Sequence, residues 1–161
     1  MKAALLAGAL LCGACPPALA QVKAAQVTPA IADAAPDIMA IGAFVDHRLA
    51  LQLSDADPAK QALVLSVANN VLAAYGPDRV AIEIVAFGPG VDLLRQGSPN
   101  QSLVDSLVAQ GVRFDICLNT VQTIERDTGK PYKLNPNAHP VTAGVAQLLL
   151  LAEHGFTIIR P

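Results

Sequence analysis

Cys117 has the residue type and the sequence surroundings that nucleophilic sulfur chemistry requires. It stands in the segment VRFDICLNT, residues 112–120, where strand-forming residues give way to polar ones. A helix that begins directly after it would place unpaired amide N–H groups and the positive end of the helix dipole beside the sulfur. Both stabilise a thiolate, which is the nucleophilic form, so this placement predicts a reactive cysteine. The alternative is that Cys117 is a small buried hydrophobic side chain.

Two further groups of residues are candidates to assist this cysteine. Asn119 and Thr120 can donate hydrogen bonds to the sulfur or to a bound anion, and the turn Gly88-Pro89-Gly90 lets backbone amides approach a ligand closely. The turn lacks the glycine spacing of a Rossmann loop and the lysine of a P-loop, so it is alternatively a tight strand-to-helix connection. His139, in the loop before the last predicted helix, is the candidate base, with a solvated loop histidine as the alternative.

The residue types and their spacing do not indicate a metal, dithiol, cofactor or nucleic-acid site. The three histidines share no metal-ligand spacing and Cys117 has no Cys-x-x-Cys partner, so neither a metal site nor a dithiol is predicted. No Ser-His-Asp arrangement, no close pair of carboxylates and no cofactor site can be assigned. The formal net charge is −2 and the chain has no tryptophan. This composition does not provide the basic surface that binds nucleic acid or an anionic membrane.

Strand and helix patterns alternate along the chain and place these candidates at one edge of a sheet. The predicted strands are Arg48–Leu53, Arg79–Phe87, Val112–Cys117 and a final FTIIRP, and the predicted helices cover residues 57–76, 91–96, 100–111, 118–127 and 141–154. This order predicts a three-layer α/β domain with four or five mostly parallel strands and helices on both faces. Ligands bind beyond the carboxyl ends of such strands, which selects residues 88–90 and 117–120.

Polar residues within two of these strands predict an uneven burial of the sheet. Glu83, Arg113 and Asp115 alternate with apolar residues. We therefore expect one face of the sheet to be less buried, or to be covered by another subunit.

The N-terminal 20 residues have the organisation of a secretory signal peptide. Lys2 precedes an apolar run that is too short to span a bilayer, and Ala18-Leu19-Ala20 fits a cleavage site before Gln21. We expect a periplasmic or secreted protein, with lipid attachment at Cys15 as the second interpretation. Cleavage leaves Cys117 as the only cysteine, which cannot form an internal disulfide. Residues 21–44 are predicted to be an extended arm, and residues 45–161 the α/β domain.

Three segments together resemble the DsrE/DsrF-like family: residues 57–94, GVRFDICLNT and VTAGVAQLLLLAEHGFTIIRP. The resemblance runs from about residue 46 to the end of the chain. It implies a flavodoxin-like fold, assembly into trimers or hexamers, and a sulfur relay in which a cysteine carries a persulfide from a donor protein to an acceptor protein. By position, Cys117 corresponds to the family cysteine, with Asn119 and Thr120 in its motif. Gly88, Pro89 and Gly90 correspond to the turn on the ligand side of the sheet.

Two functions follow from these observations. The first is a sulfur carrier, similar to a sulfurtransferase, that holds a persulfide on Cys117. The second is a non-catalytic oligomeric module that binds a small ligand, in which Cys117 serves packing. The predicted export differs from the cytoplasmic location of the sulfur-relay complexes, so the resemblance implies the fold more securely than the function.

Overall fold

The computed structural model describes residues 45–161. The predicted signal peptide at residues 1–20, the alternative lipid site at Cys15 and the predicted arm at residues 21–44 lie outside the described residues.

Five parallel strands form one sheet. They are β1 His47–Leu53, β2 Val80–Ala86, β3 Arg113–Cys117, β4 His139–Val141 and β5 Thr157–Ile159. Their spatial order is β4-β3-β2-β1-β5, and every neighbouring pair is parallel. The chain therefore crosses the sheet one strand at a time from β1 to β4 and then returns to place β5 beside β1.

Helices cover both faces of this sheet. Helix α1 spans Pro58–Tyr75, a 3-10 helix spans Gly88–Leu94, and α2, α3 and α4 span Gln101–Ala109, Leu118–Thr128 and Gly144–Glu153. Asp57 begins α1 by accepting hydrogen bonds from the first free amides of the helix, with Pro58 at its first position. The predicted three-layer, flavodoxin-like α/β architecture is confirmed.

The two faces of the sheet are packed differently. Alternate residues of the strands, such as Phe114 and Ile116, form the larger apolar core with α1, α2, α3 and the 3-10 helix. The opposite face has a smaller apolar cluster, in which Ala50 and Val85 pack against Leu148 and Leu151 of α4. We refer to this second face, covered by α4 among the described helices, as the α4 face.

Two acidic residues on the α4 face differ from the sequence-based expectation. For Glu83 and Asp115 we expected a face that is less buried or that another subunit covers, whereas both residues are fully buried within the described part of this chain. Arg113, which pairs with Glu83 in the strand register and precedes Asp115 by two residues, is nearly buried as well. The difference arises because α4 lies directly over them and because the three side chains bind one another, which compensates their loss of water.

The region before the last helix also differs from the prediction. His139 was predicted in a loop and the helix was predicted to begin at Val141, whereas residues 139–141 form β4 and the helix begins at Gly144. Three residues are too few for a strand pattern to be visible, and Pro140 is typical of an edge strand rather than of a central one. Within residues 45–161, no helix is both long and apolar enough to cross a membrane.

Candidate functional site

The connections that leave β3 and β4 diverge and leave a crevice between them. The chain after β3 forms α3 on one face of the sheet, and the chain after β4 forms α4 on the other. In open α/β sheets, ligands bind in the crevice at such a point. Cys117 is the last residue of β3 and immediately precedes α3. Cys117 therefore lies at a helix N-terminus, as the sequence predicted.

The sulfur of Cys117 is surrounded by hydrogen-bond donors. Burial by itself raises the pKa of the thiol. The Thr120 hydroxyl and the backbone amides of Gly144, Thr120 and Asn119 favour the charged form of the sulfur, and together they outweigh that effect. The pKa of Cys117 is therefore below its ordinary value, which shifts the equilibrium of this buried group toward the thiolate.

Thr120 is oriented toward the sulfur by a second hydrogen bond. The backbone N–H of Gly88 donates to Thr120 Oγ1 at 3.0 Å. Because the oxygen accepts this bond, the hydroxyl proton is available for the sulfur of Cys117. The turn at Gly88 therefore influences the cysteine through the side chain of Thr120, which belongs to the first turn of α3.

The segment after β4 completes the surroundings of Cys117. The carbonyl oxygen of Thr142 lies 4.0 Å from the sulfur and can accept from a neutral thiol, and it also accepts from the Asn119 amide at 3.2 Å. Two residues later, Gly144 begins α4, and its amide is one of the groups that lower the pKa of Cys117. Both protonation states of Cys117 therefore have hydrogen-bond partners in the crevice.

An open cleft of about 540 Å³ lies next to this group. It is lined by Gly88, Pro89, Asn119, Thr120, Thr123 and Ile124. Cys117 is only 5% exposed and does not line the cleft, so Asn119 and Thr120 separate the sulfur from it. The cleft is large enough for a small ligand or for a short segment of another protein.

Two glycines are required by close contacts at the site. A Cβ at Gly90 would overlap the carbonyl oxygen of Leu53, and a Cβ at Gly144 would lie 2.8 Å from Cβ of Phe87. Gly90 therefore permits close packing of the turn on β1 and, unlike Gly88 and Pro89, does not line the cleft. Gly144 was missed by sequence reasoning because its segment reads as the interior of a helix, and no signal in one sequence distinguishes it.

His139 is not placed beside Cys117. Its side chain instead lies 3.1 Å from Asp115 Oδ1 through Nδ1 and 2.9 Å from the Arg113 guanidinium through Nε2. The same carboxylate oxygen accepts from Arg113 Nε at 3.0 Å. Arg113 Nη2 also lies 2.8 Å from Nδ1, so both ring nitrogens of His139 are within hydrogen-bond distance of the guanidinium. His139 belongs to a buried polar group rather than to the environment of the sulfur.

Glu83 and Asp115 form a close carboxyl pair that sequence reasoning did not assign. Burial and the negative charge of Asp115 raise the pKa of Glu83 to about 8. Burial alone would raise the pKa of Asp115, but hydrogen bonds from His139 and Glu83 hold it below its usual range. Glu83 Oε1 and Asp115 Oδ2 are both buried, and neither accepts a hydrogen bond from a donor among the described residues. One proton on Glu83, donated to Asp115, therefore satisfies both oxygens.

The described part of the chain has no cluster of three or more His, Cys, Asp or Glu side chains arranged to hold a metal ion.

A solved structure with this arrangement of elements is similar in sequence to this chain. MTH1491 from Methanobacterium thermoautotrophicum, described as a protein of unknown function, is 31% identical to this chain. The match covers 72% of this chain and 100% of MTH1491, with a TM-score of 0.65. The chain belongs to the MTH1491 family.

A second solved structure shares only the fold with this MTH1491 family member. YchN from E. coli is 13% identical, and the match covers 71% of this chain and 99% of YchN with a TM-score of 0.50. It supports the DsrE-like fold that the sequence resemblance implied. No protein-family model and no curated protein matches the chain. Shared fold does not by itself assign an activity, so function has to be argued from the crevice.

Proposed function

We propose that this protein is a sulfur carrier that holds a persulfide on Cys117. The observation that supports the proposal is the set of donors around the sulfur: one hydroxyl and three backbone amides favour its thiolate in a crevice at the carboxyl ends of β3 and β4. Such preorganised donors stabilise an anionic sulfur without reorganisation when it forms. They suit a persulfide anion on Cys117 as well as a thiolate.

The reaction is an exchange of sulfane sulfur with no net oxidation. The Cys117 thiolate attacks the terminal sulfur of a donor persulfide, R–S–SH. A bond forms between Cys117 Sγ and that sulfur, the S–S bond of the donor breaks, and the electron pair leaves on the donor thiolate. In discharge, an acceptor thiolate attacks the terminal sulfur on Cys117, and the Cys117 thiolate leaves. Lowering its pKa makes Cys117 a better leaving group in this second step.

The cleft beside the site suits the approach of a donor or acceptor. Asn119 and Thr120 line the cleft and also lower the pKa of Cys117, so movement of these two residues would open a path from the cleft to the sulfur. The donor and acceptor are therefore expected to be thiols or persulfides presented on small molecules or on the protruding segments of partner proteins.

The direct test is the intact mass of the folded protein after incubation with polysulfide, compared with a Cys117→Ser variant. We expect a gain of one sulfur atom on the wild type, absent from the variant, and its loss when a thiol acceptor is added. A native protein that gains no sulfur, but does so after unfolding in urea, would overturn the proposal.

One observation favours the alternative of a non-catalytic module that binds a small ligand. Cys117 is only 5% exposed, whereas the cleft is lined by Gly88, Pro89 and the first turn of α3. If the cleft alone is the site, substitution of Thr123 within it should weaken binding of a small anion, and Cys117→Ser should leave that binding unchanged. Binding measured by calorimetry on the two variants separates the two functions.

We also propose that the protein assembles with copies of itself. Val145 and Leu149 lie four residues apart on the outer surface of α4 and are largely exposed, and Ile158 of the edge strand β5 is exposed on the same face of the sheet. A helix that is apolar on its outer side as well as its inner side is normally buried. A second copy presenting the same surface would bury it, as expected of the trimers or hexamers implied by the DsrE/DsrF resemblance.

Export is proposed from the sequence of residues 1–20. Fractionation of the source cells followed by N-terminal sequencing should give a mature protein that begins at Gln21. A full-length protein retained with the cytoplasmic fraction would contradict this.

A further inference from the structure

The cleft beside Cys117 has two walls that come from different parts of the chain. One wall is the start of the 3-10 helix, at Gly88 and Pro89, and the other is the first two turns of α3. The 3.0 Å hydrogen bond from the Gly88 amide to Thr120 Oγ1 joins the walls at one end. The separation of the walls elsewhere therefore depends on the contacts that hold the 3-10 helix to α3 farther along the two elements.

Tyr132, in the connection between α3 and β4, makes such contacts with both elements. Its hydroxyl donates to the carbonyl oxygen of Val91 at 3.0 Å, and its backbone N–H donates to Glu125 Oε1 at 2.8 Å. Val91 lies one turn beyond Gly88 in the 3-10 helix. Glu125 directly follows Ile124, which lines the α3 side of the cleft. Tyr132 thus bridges the two walls a second time.

Tyr132 is itself fixed in place on several sides. Its side chain packs against the larger apolar core. The residues that follow it are also bound to the 3-10 helix and the residues after it. The Gln96 amide donates to the carbonyl oxygen of Lys133 at 2.8 Å, and the Asn135 amide donates to that of Leu94 at 2.8 Å. Burial raises the pKa of Tyr132 to about 12, so the hydroxyl keeps the proton that it donates.

We propose that Tyr132 sets the width of the cleft and thereby limits the size of the thiol or persulfide that reaches Cys117. This inference rests on the proposed function, because it concerns the donor and the acceptor of the sulfur. Cys117 is only 5% exposed, so a donor has to pass between the walls to reach it. Tyr132 does not line the cleft and is therefore a positioning residue, which acts through the two walls. Donors with a slender alkyl group should react, and donors with a bulky ring beside the sulfur should react slowly.

The test compares the addition of Cys117 to N-methylmaleimide and to N-phenylmaleimide, which share one reaction and differ in size. In both, the thiolate adds to the C=C bond, a C–S bond forms, and the neighbouring carbon takes a proton from water. The rate with the phenyl reagent, divided by the rate with the methyl reagent, is measured at Cys117 in the folded protein and in the urea-unfolded chain. We expect this ratio to be about tenfold lower in the folded wild type.

Variants of the two hydrogen bonds assign this size limit to Tyr132. Tyr132→Phe keeps the ring and removes the bond to Val91, so the ratio should rise by about threefold to tenfold. Glu125→Leu removes the other bond and should have the same effect, whereas Glu125→Gln keeps the acceptor and should keep the wild-type ratio. Tyr75→Phe is the matched control, because Tyr75 is the last residue of α1, where its ring contacts His47.

Two results would overturn the inference. One is a folded Tyr132→Phe whose ratio equals that of the wild type, or rises no more than in Tyr75→Phe. The other applies if neither maleimide reacts with the folded wild type, or if Tyr132→Phe does not fold. Hydrogen exchange of the Gly88 amide, which joins the walls, should then be faster in Glu125→Leu than in the wild type, relative to the Ile84 amide of β2. An unchanged relative rate decides against the bridge.

Failure of the sulfur-carrier proposal would be seen in a different measurement. Maleimide addition and hydrogen exchange do not require sulfur uptake, so they report on the cleft whether or not Cys117 carries sulfur. The carrier proposal fails instead if the wild-type protein gains no sulfur mass from polysulfide.

Discussion

Thr120 is the side chain that most directly sets the protonation state of Cys117. Its oxygen accepts the Gly88 amide at 3.0 Å, and its proton is donated toward the sulfur. Thr120→Val keeps the shape and removes this donor, so the thiolate should be less favoured. We expect alkylation of Cys117 at pH 7 to slow by about threefold to tenfold, as for the loss of one hydrogen bond to a charged group. Thr120→Ser, which keeps the hydroxyl, is the matched control; equal rates in Val and Ser variants would contradict the assignment.

Glu83 makes the stability of the fold depend on pH. The folded state raises its pKa from 4.5 to about 8, so the folded state binds the proton more tightly than the unfolded chain. The stability linked to this proton is fully present below pH 4.5 and is lost as the pH rises through about 8. Asp115 has the opposite effect on the pH dependence of stability. Its pKa is lowered in the folded state, so the stability that it contributes is lost as the pH falls into the acid range.

Glu83→Gln should therefore resist alkaline destabilisation. Between pH 5 and pH 9 we expect the wild type to lose on the order of 2–4 kcal/mol more free energy of unfolding than the variant, because a pKa unit is about 1.4 kcal/mol. Urea unfolding at both pH values measures this. Glu153→Gln removes an exposed acid of α4 and is the control, which should follow the wild type. A Glu83→Gln variant that also follows the wild type would refute the shared proton.

Helix α4 controls the site through the glycine at its start. Gly144→Ala would place a Cβ 2.8 Å from Cβ of Phe87, so the first turn must shift and carry its amide away from Cys117. We expect a loss of roughly 1–3 kcal/mol of stability, as for other overpacked positions, together with slower alkylation at pH 7.

Gly97→Ala separates these two effects. Gly97 has a φ of +78° but open space around a Cβ, so alanine there costs about 1 kcal/mol through backbone strain and does not touch the site. Gly144→Ala should therefore lower both the free energy of unfolding and the rate of alkylation. Gly97→Ala should lower the free energy of unfolding and leave the rate of alkylation unchanged. Unchanged alkylation in a destabilised Gly144→Ala would exclude a role of α4 at the sulfur.

The elements differ in how well the sequence predicts them, for physical reasons. Helix α1 and strand β2 follow from local signals, a capping Asp57 before Pro58 and a run of β-branched residues. The position of Cys117 follows as well, because it ends a strand pattern. In contrast, β4 has three residues and exists only by pairing with β3. The carboxyl pair of Glu83 and Asp115 forms because β2 and β3 are neighbours in the sheet. The pattern of residues along the sequence does not show which strands are neighbours.

The candidate site shows the same division between local and distant information. Thr120 and Asn119 could be named because they follow Cys117 in the chain. Gly144 reaches the sulfur from a segment 27 positions later. His139 was assigned to the cysteine because both are near the same sheet edge, but its register opposite Asp115 directs it to that carboxylate. Strand register, rather than residue type, decides which of the candidates meet.

At the scale of the whole molecule, the α4 face carries an apolar surface that no other element within residues 45–161 covers, and this surface is where self-assembly should be tested. Leu149 of α4 is 63% exposed, and Leu103 of α2 is 56% exposed on the other side of the sheet. The two leucines are thus matched in exposure and differ in the face they occupy. Leu149→Lys should lower the molar mass measured by light scattering to that of a monomer, because a buried charge without a partner destabilises an interface. Leu103→Lys should leave the mass unchanged. If both variants keep the wild-type mass, copies do not meet through α4; if Leu103→Lys alone lowers it, the α2 side of the sheet is the interface.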